Sequence, residues 1–181
     1  MKSIYLIRHC KALGQEPEAA LTKEGQQQAE ALALYLQDKE IEYIISSPFE
    51  RAVQTIIPLS QCLGRNIHID DRLAERVLST SSIENWLEVL EKTYSDYELK
   101  LEGGESSQEA SERALHVIED LMKRPEKTIC AVTHGALLSL IIKHFNADFG
   151  FEDWKRITNP DIYLLRIDND HTAIERVWES N

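Results

Sequence analysis

Ser3-Ile4-Tyr5-Leu6-Ile7 runs directly into Arg8-His9-Cys10. A short, wholly apolar run reads as a strand buried on both faces, as in a parallel sheet covered by helices. The polar pair Arg8-His9 then falls where that strand ends. In open α/β sheets, ligand sites form outside the carboxyl ends of the strands, so this pair stands where chemistry is usually done.

The rest of the chain repeats the pattern. Thr22 caps a helix whose Leu21, Gly25, Ala29, Leu32 and Leu36 recur at helical spacing. Gly25 lowers helix propensity and is expected to allow close packing against the sheet. Tyr43-Ile44-Ile45-Ser46 reads as a second buried strand. Ser47-Pro48 sets a helix start with Pro at the first helical position, and Pro58 predicts a kink or an early break. Arg51 falls in that helix's first turn, where a cation opposes the helix dipole and a bound anion would explain it. Ile67-His68-Ile69 is a third strand, followed by the charged run Asp70 to Arg76.

Ile83, Trp86, Leu87 and Leu90 form a narrow helical stripe inside an acidic segment, which reads as a cap inserted at about 77–104. Ser106 and Glu109 make a capping box for a helix that Arg124-Pro125 stops. Thr128 to Val132 is the cleanest buried strand. It ends in Thr133-His134-Gly135, a second histidine at a strand's carboxyl end. Asn159-Pro160 breaks the chain, and Ile162 to Asp168 with Thr172 to Trp178 reads as a hairpin around Asn169-Asp170-His171. The order of elements predicts a single α/β domain over 1–181, three-layered α/β/α, with a mostly parallel mixed sheet and a small helical cap.

Composition narrows the function. The 181 residues carry 20 Lys+Arg against 31 Asp+Glu, a formal charge of −11, which argues against nucleic acid or an anionic membrane as partner. An anionic substrate therefore needs a local positive pocket. The first residues lack a signal-peptide pattern and the chain lacks an apolar run of about 18 residues, so it reads as cytoplasmic. Cys10, Cys62 and Cys130 suggest neither a disulfide nor a CxxC pair, and Cys62 and Cys130 read as small core residues.

Arg8, His9, Arg51, Glu75 and His134 would gather at one sheet edge. Guanidinium forks and imidazole N–H groups suit a doubly charged phosphate. Nearby arginines would keep His9 neutral, with a lone pair able to attack phosphorus. A carboxylic acid, Glu75 or Glu105, would protonate the leaving alkoxide. This scheme calls for no metal and no cofactor, because the arginines supply the charge stabilisation. A zinc site of His9, Cys10 and His134 is disfavoured, since neighbours in an extended chain point apart. His68, His116, His144 and His171, and Trp86, Trp154 and Trp178, read as structural, with an apolar wall of Leu87, Trp86 and Tyr94 as the alternative in the cap.

These segments closely resemble the histidine phosphatase superfamily, the phosphoglycerate mutase-like proteins. The matching runs are Leu6-Ile7-Arg8-His9, Leu21-Thr22 with Gly25, and Ser46-Ser47-Pro48 with Arg51-Ala52 and Gln54-Thr55. Leu73 with Glu75, Gly103-Gly104-Glu105-Ser106 and Val132-Thr133-His134-Gly135 complete the set. The resemblance implies a phosphorylated nucleophile at His9 and a general acid and base at Glu75. It also implies a phosphoryl group held by Arg8, Arg51 and His134, with Gly135 beside it. It departs at Cys10, where the family usually has Gly, and in the loop Lys11 to Pro17, which lacks the family's phosphate-touching Asn. Gln15 is expected to supply that amide contact. The short loop favours hydrolysis of a small phosphorylated metabolite over a mutase-type phosphotransfer. A non-catalytic phospho-ligand binding module is the third reading. Cys10, beside Arg8, is either an inert packing residue or a reactive thiol. The sequence sets no oligomeric state.

Overall fold

The computed structural model describes residues 1–168 and 171–179. Its centre is β1 (Lys2–Arg8), flanked by β4 (Thr128–Thr133) in parallel and β5 (Asp161–Asp168) antiparallel. With β2 (Tyr43–Ser46), β3 (Ile67–Ile69) and β6 (His171–Arg176) the sheet runs β3-β2-β4-β1-β5-β6. The predicted mostly parallel sheet with an antiparallel edge is therefore present. The hairpin's Asn169 and Asp170 lie outside the described residues, and His171 belongs to β6 rather than to the turn.

Period-two alternation explains the three layers. Ile4, Leu6, Ile129 and Ala131 face one way and pack on α4 (Ser107–Lys123) and α5 (Gly135–Phe145), through Ala114, Ile118, Leu138 and Ile141. Tyr5, Ile7, Cys130 and Val132 face the other way, onto Leu32 and Leu36 of α1 (Lys23–Leu36) and Ile56 and Leu59 of α2 (Glu50–Leu63). The Ser106–Glu109 capping box opens α4 as expected.

Some local expectations are corrected. α2 starts at Glu50, with Phe49 and not Ser47 at the N-cap, because the Ser47 hydroxyl accepts from the Phe49 amide and turns the chain first. Its end is where the apolar spacing through Leu59 to Leu63-Gly64 puts it, at Gly64 with φ 62°, and no early break occurs at Pro58, with Ile56 and Leu59 buried on either side. Gly25 packs against the loop that precedes its helix and not the sheet: a Cβ there would run into the Lys11 carbonyl oxygen. Cys62 is exposed on α2, whereas Cys130 is buried.

Between β3 and α4 the chain forms a short 3-10 turn, Asp71–Leu73, and then α3 (Trp86–Ser95). Residues on either side of α3 are stitched together: the Glu105 amide donates to the Val77 carbonyl and the Thr80 amide to that of Glu102. α3 is tied to the body by a 2.6 Å hydrogen bond between the Tyr94 and Ser139 hydroxyls. Before β5, a single turn, α6 (Phe151–Trp154), goes unanticipated by the sequence pattern. Among the described residues no helix is long and apolar enough to cross a membrane.

Candidate active site

Register places the two histidines side by side. Arg8 at the end of β1 stands opposite Thr133 at the end of β4, so the next residue of each strand, His9 and His134, leaves the sheet at the same level. The His9 amide donates to the Thr133 carbonyl at 3.1 Å, and the two rings meet edge to face with centroids 5.0 Å apart. Asn159 fixes the same turn from β5's side, donating through Nδ2 to the His9 carbonyl at 2.8 Å.

The surroundings of His9 define its protonation. Nδ1 lies 2.7 Å from the Cys10 carbonyl, which only an N–H can satisfy, and Nε2 accepts from Arg51 Nε at 3.2 Å. The ring is therefore the Nδ1–H tautomer with its lone pair on Nε2. Burial lowers its pKa from 6.5 to about 3, with the Arg51 and Arg8 charges adding to the effect and the Cys10 carbonyl opposing it. His9 is thus a neutral imidazole, held by one nitrogen and nucleophilic at the other.

Arg51 is 1% exposed, with its guanidinium 5.0 Å over the Phe49 ring. Its Nη1 donates to the carbonyls of Gln15 and Glu16 at 3.0 and 2.9 Å. Arg8 donates through Nη1 to the Ile157 carbonyl at 2.7 Å, while its Nε is buried and without a protein acceptor. Gly135 permits this placement, since a Cβ there would stand 3.0 Å from Arg8 Cζ and Nε. His134 Nε2 lies 2.7 Å from the Ser47 hydroxyl. That hydroxyl already accepts from Phe49, so it is assigned as donor to the ring, leaving N–H at His134 Nδ1. Nδ1 too is buried without a protein partner. Burial, then His9, Arg51 and Arg8, hold the His134 pKa well below the usual histidine value. A buried donor left unmatched costs about 1–3 kcal/mol, so an acceptor that engaged both orphaned N–H groups would be bound preferentially.

Glu75 follows the 3-10 turn and lies across the start of α5. Its Oε1 accepts from the Arg76 and Leu137 amides at 2.8 and 3.0 Å, and its Oε2 from the Ala136 amide at 3.1 Å. Oε2 retains capacity for a proton. Arg8, Gln15, Glu75 and Gly135 line one cavity of about 530 Å³, and His9, Arg51 and His134 are buried next to them.

All the site residues expected from the sequence are thus brought together. Gln15 lines the cavity, but what it gives Arg51 is its backbone carbonyl. Of the two acids considered, Glu105 is excluded from the role: Arg113 binds its carboxylate through Nε and Nη2 at 2.6 and 2.9 Å. Cys10 packs with Leu21 and Ala29, and burial pushes its thiol up to about 12, which supports the packing reading over the reactive one. Among the described residues no cluster of His, Cys, Asp or Glu could share a metal ion.

Several neighbours escaped the sequence reading. Ser47 stood in a matching run but with no role assigned, Asn159 was visible only as the partner of a proline, and Arg76, 7% exposed, was one charge within a charged run. Trp154, taken as structural, lines the cavity beside Trp86.

The family model described as the histidine phosphatase superfamily (branch 1) matches residues 4–180. The chain belongs to the histidine phosphatase superfamily. It is an enzyme of the histidine phosphatase type. An Escherichia coli superfamily member named a probable phosphoglycerate mutase, GpmB, is 30% identical over 188 residues, covering 93% of this chain and 85% of that protein. A Hydrogenobacter thermophilus protein provisionally named a phosphoserine phosphatase is 28% identical over 158 residues, covering 78% of this chain and 77% of its own. Among solved structures, a mycobacterial glucosyl-3-phosphoglycerate phosphatase with inorganic phosphate superposes at TM-score 0.78 and 20% identity, covering 99% of this chain and 98% of that one. A phosphoserine phosphatase of Entamoeba histolytica, a histidine-to-alanine mutant with phosphoserine, gives 0.76 at 23% identity, covering 96% and 95%. At these identities the superpositions speak for the superfamily fold.

Proposed function

We propose that the chain is a phosphomonoester hydrolase that works through a phosphohistidine on His9, with Glu75 as general acid and then base. The observation that carries this reading is the fixed tautomer of His9: Nδ1–H on the Cys10 carbonyl, a lone pair on Nε2, and a ring pKa lowered to about 3.

In the first step Nε2 attacks phosphorus and the bond to the ester oxygen breaks. Glu75, protonated, gives its proton to the departing alkoxide. Arg8, Arg51 and His134 donate to the non-bridging oxygens, where charge accumulates. In the second step Glu75, now a carboxylate, takes a proton from water as that water attacks phosphorus. The P–N bond breaks, phosphate leaves, and His9 is neutral again. We assign the clamping of phosphate to these donors, two guanidinium groups and a neutral imidazole N–H, and not to a metal. The segment about 77–104 is read as the cap over a single domain, and the three free cysteines suit the reducing cytoplasm.

The test is hydrolysis of p-nitrophenyl phosphate in excess chelator, with His9→Ala as the blank, together with trapping of the phosphoenzyme. Turnover in chelator and an acid-labile, alkali-stable phosphoryl label that His9→Ala lacks are expected. Loss of turnover on chelation, or a label that survives His9→Ala, overturns the mechanism. Transfer to an added alcohol that outruns transfer to water would replace hydrolase by phosphotransferase.

A further inference from the structure

The cavity above the phosphate clamps has a wall that the reaction itself does not use. Leu78, Leu90, Trp86 and Trp154 line it, facing the same space as Arg8 and Glu75. Trp154 stacks on Phe151, with centroids 5.4 Å apart and planes 19° from parallel. Phe151 in turn meets Tyr94 of α3 edge to face at 5.8 Å. The wall therefore joins α3 to α6, two elements far apart in sequence.

Arg76 locks it in place. Its Nη1 donates to the Thr93 and Ser107 hydroxyls at 3.1 and 2.9 Å, and its Nη2 to the Glu105 carbonyl at 3.1 Å. These bonds tie α3 to the start of α4, so the wall is built before any ligand arrives. Among the described residues Nε of Arg76 is buried without a protein acceptor. Besides Arg8, Gln15 and Glu75 of the phosphate site, the described lining of the cavity adds one polar side chain, Arg76. A second phosphate would be disfavoured by the exposed Glu84, Glu88, Glu91, Asp96 and Glu98 of the segment that carries Trp86 and Leu90, in a chain with net charge −11.

We infer that the ester's alcohol part is a bulky apolar group, best a flat ring, seated against Trp86, Trp154, Leu78 and Leu90. This rests on the phosphatase reading for the phosphate end and adds the class of leaving group. Apolar area removed from water and ring-on-ring contact supply the selectivity, and a prebuilt wall gives them up to no ordering cost.

Binding of non-hydrolysable phosphonates separates this inference from catalysis. Calorimetry compares 3-phenylpropyl phosphonate with ethyl phosphonate and with the phosphonate analogue of phosphoserine. We expect the phenylpropyl compound to bind at least about tenfold tighter than either. That ratio should fall below about threefold in Trp154→Ala. Trp86→Ala, at a half-exposed position where folding is not at risk, should lower it as well. Equal affinities, tighter binding of the phosphoserine analogue, or a ratio unmoved by both substitutions overturns the inference. Absence of turnover with every phosphate ester, alongside a preserved phosphonate preference, would overturn the hydrolase reading and leave the apolar subsite standing.

Discussion

Replacing His9 by Asn should flatten the acid limb of the protein's stability. In the unfolded chain the imidazole protonates near its ordinary 6.5, whereas in the folded protein it stays neutral down to about 3. Below 6.5 the unfolded state therefore binds a proton that the folded state refuses, and stability falls as pH falls. His9's contribution is fully present above 6.5 and is lost progressively towards pH 3. At 1.36 kcal/mol for each pH step, the loss between pH 7 and pH 5 is about 2 kcal/mol, and the whole window is worth about 4–5 kcal/mol. His134 shifts in the same direction, partly because of His9, so the variant also relaxes His134 towards its ordinary value and flattens the curve further. The assay is urea unfolding of wild type and His9→Asn at pH 7 and pH 5, comparing the change in unfolding free energy between the two pH values. Carboxylate contributions are common to both proteins and cancel. Wild type should lose about 2 kcal/mol more than the variant across this interval. Equal losses would refute the claim that the nucleophile is kept neutral by burial, and with it the assignment of the lone pair to Nε2 at working pH.

Gly135→Ala sets a methyl 3.0 Å from Arg8 Cζ and should displace the guanidinium, lowering kcat/KM for p-nitrophenyl phosphate roughly 10–100-fold, with thermal unfolding little changed. Glu75→Gln should slow hydrolysis of alkyl phosphates roughly 10²–10⁴-fold and that of p-nitrophenyl phosphate, whose leaving group needs no proton, far less. Glu105→Gln loosens the Arg113 pair and should instead cost stability of about 1–3 kcal/mol by urea titration, with that same selectivity for leaving groups preserved. Alkylation of the native protein at pH 8, read by mass spectrometry, should label exposed Cys62 and spare Cys10 and Cys130; labelling of Cys10 first would contradict its placement.

The features legible in the sequence were those set by local periodicity. Apolar runs ending in Arg8-His9 and Thr133-His134 announce both the strands and the edge at which they stop. The superfamily's motifs then name Arg51 and Glu75, which periodicity alone does not distinguish from other surface charges. What stayed hidden was fixed by partners distant in the chain. Arg76 gains its role from Thr93 and Ser107, Ser47 from His134, and Asn159 from the His9 carbonyl. Cys62 was misread because a cysteine's composition argues for burial whereas its place on α2 decides it, on the exposed side away from Ile56 and Leu59.

The same distinction separates the two halves of the active site. Of the proposed clamps on phosphate, Arg8 and His134 come from strand ends whose register is dictated by the sheet, Arg8 standing level with Thr133 in the β1–β4 pairing, while Arg51 comes from the first turn of α2. A short motif can encode that arrangement, since the sheet performs the assembly. The wall facing the alcohol comes from α3 and α6, joined by Tyr94, Phe151 and Trp154, and no element of the sheet holds it in register. On the proposed reading, changing Trp86 or Leu78 should alter the leaving group that fits while leaving His9, Arg51 and His134 in place, since these are buried below 10% exposure and in contact with one another. The proposed chemistry and the proposed substrate choice are then physically separable in this chain. A relative that shares the Arg-His, Ser-Ser-Pro and Thr-His-Gly runs informs the first, and only the residues of the wall inform the second.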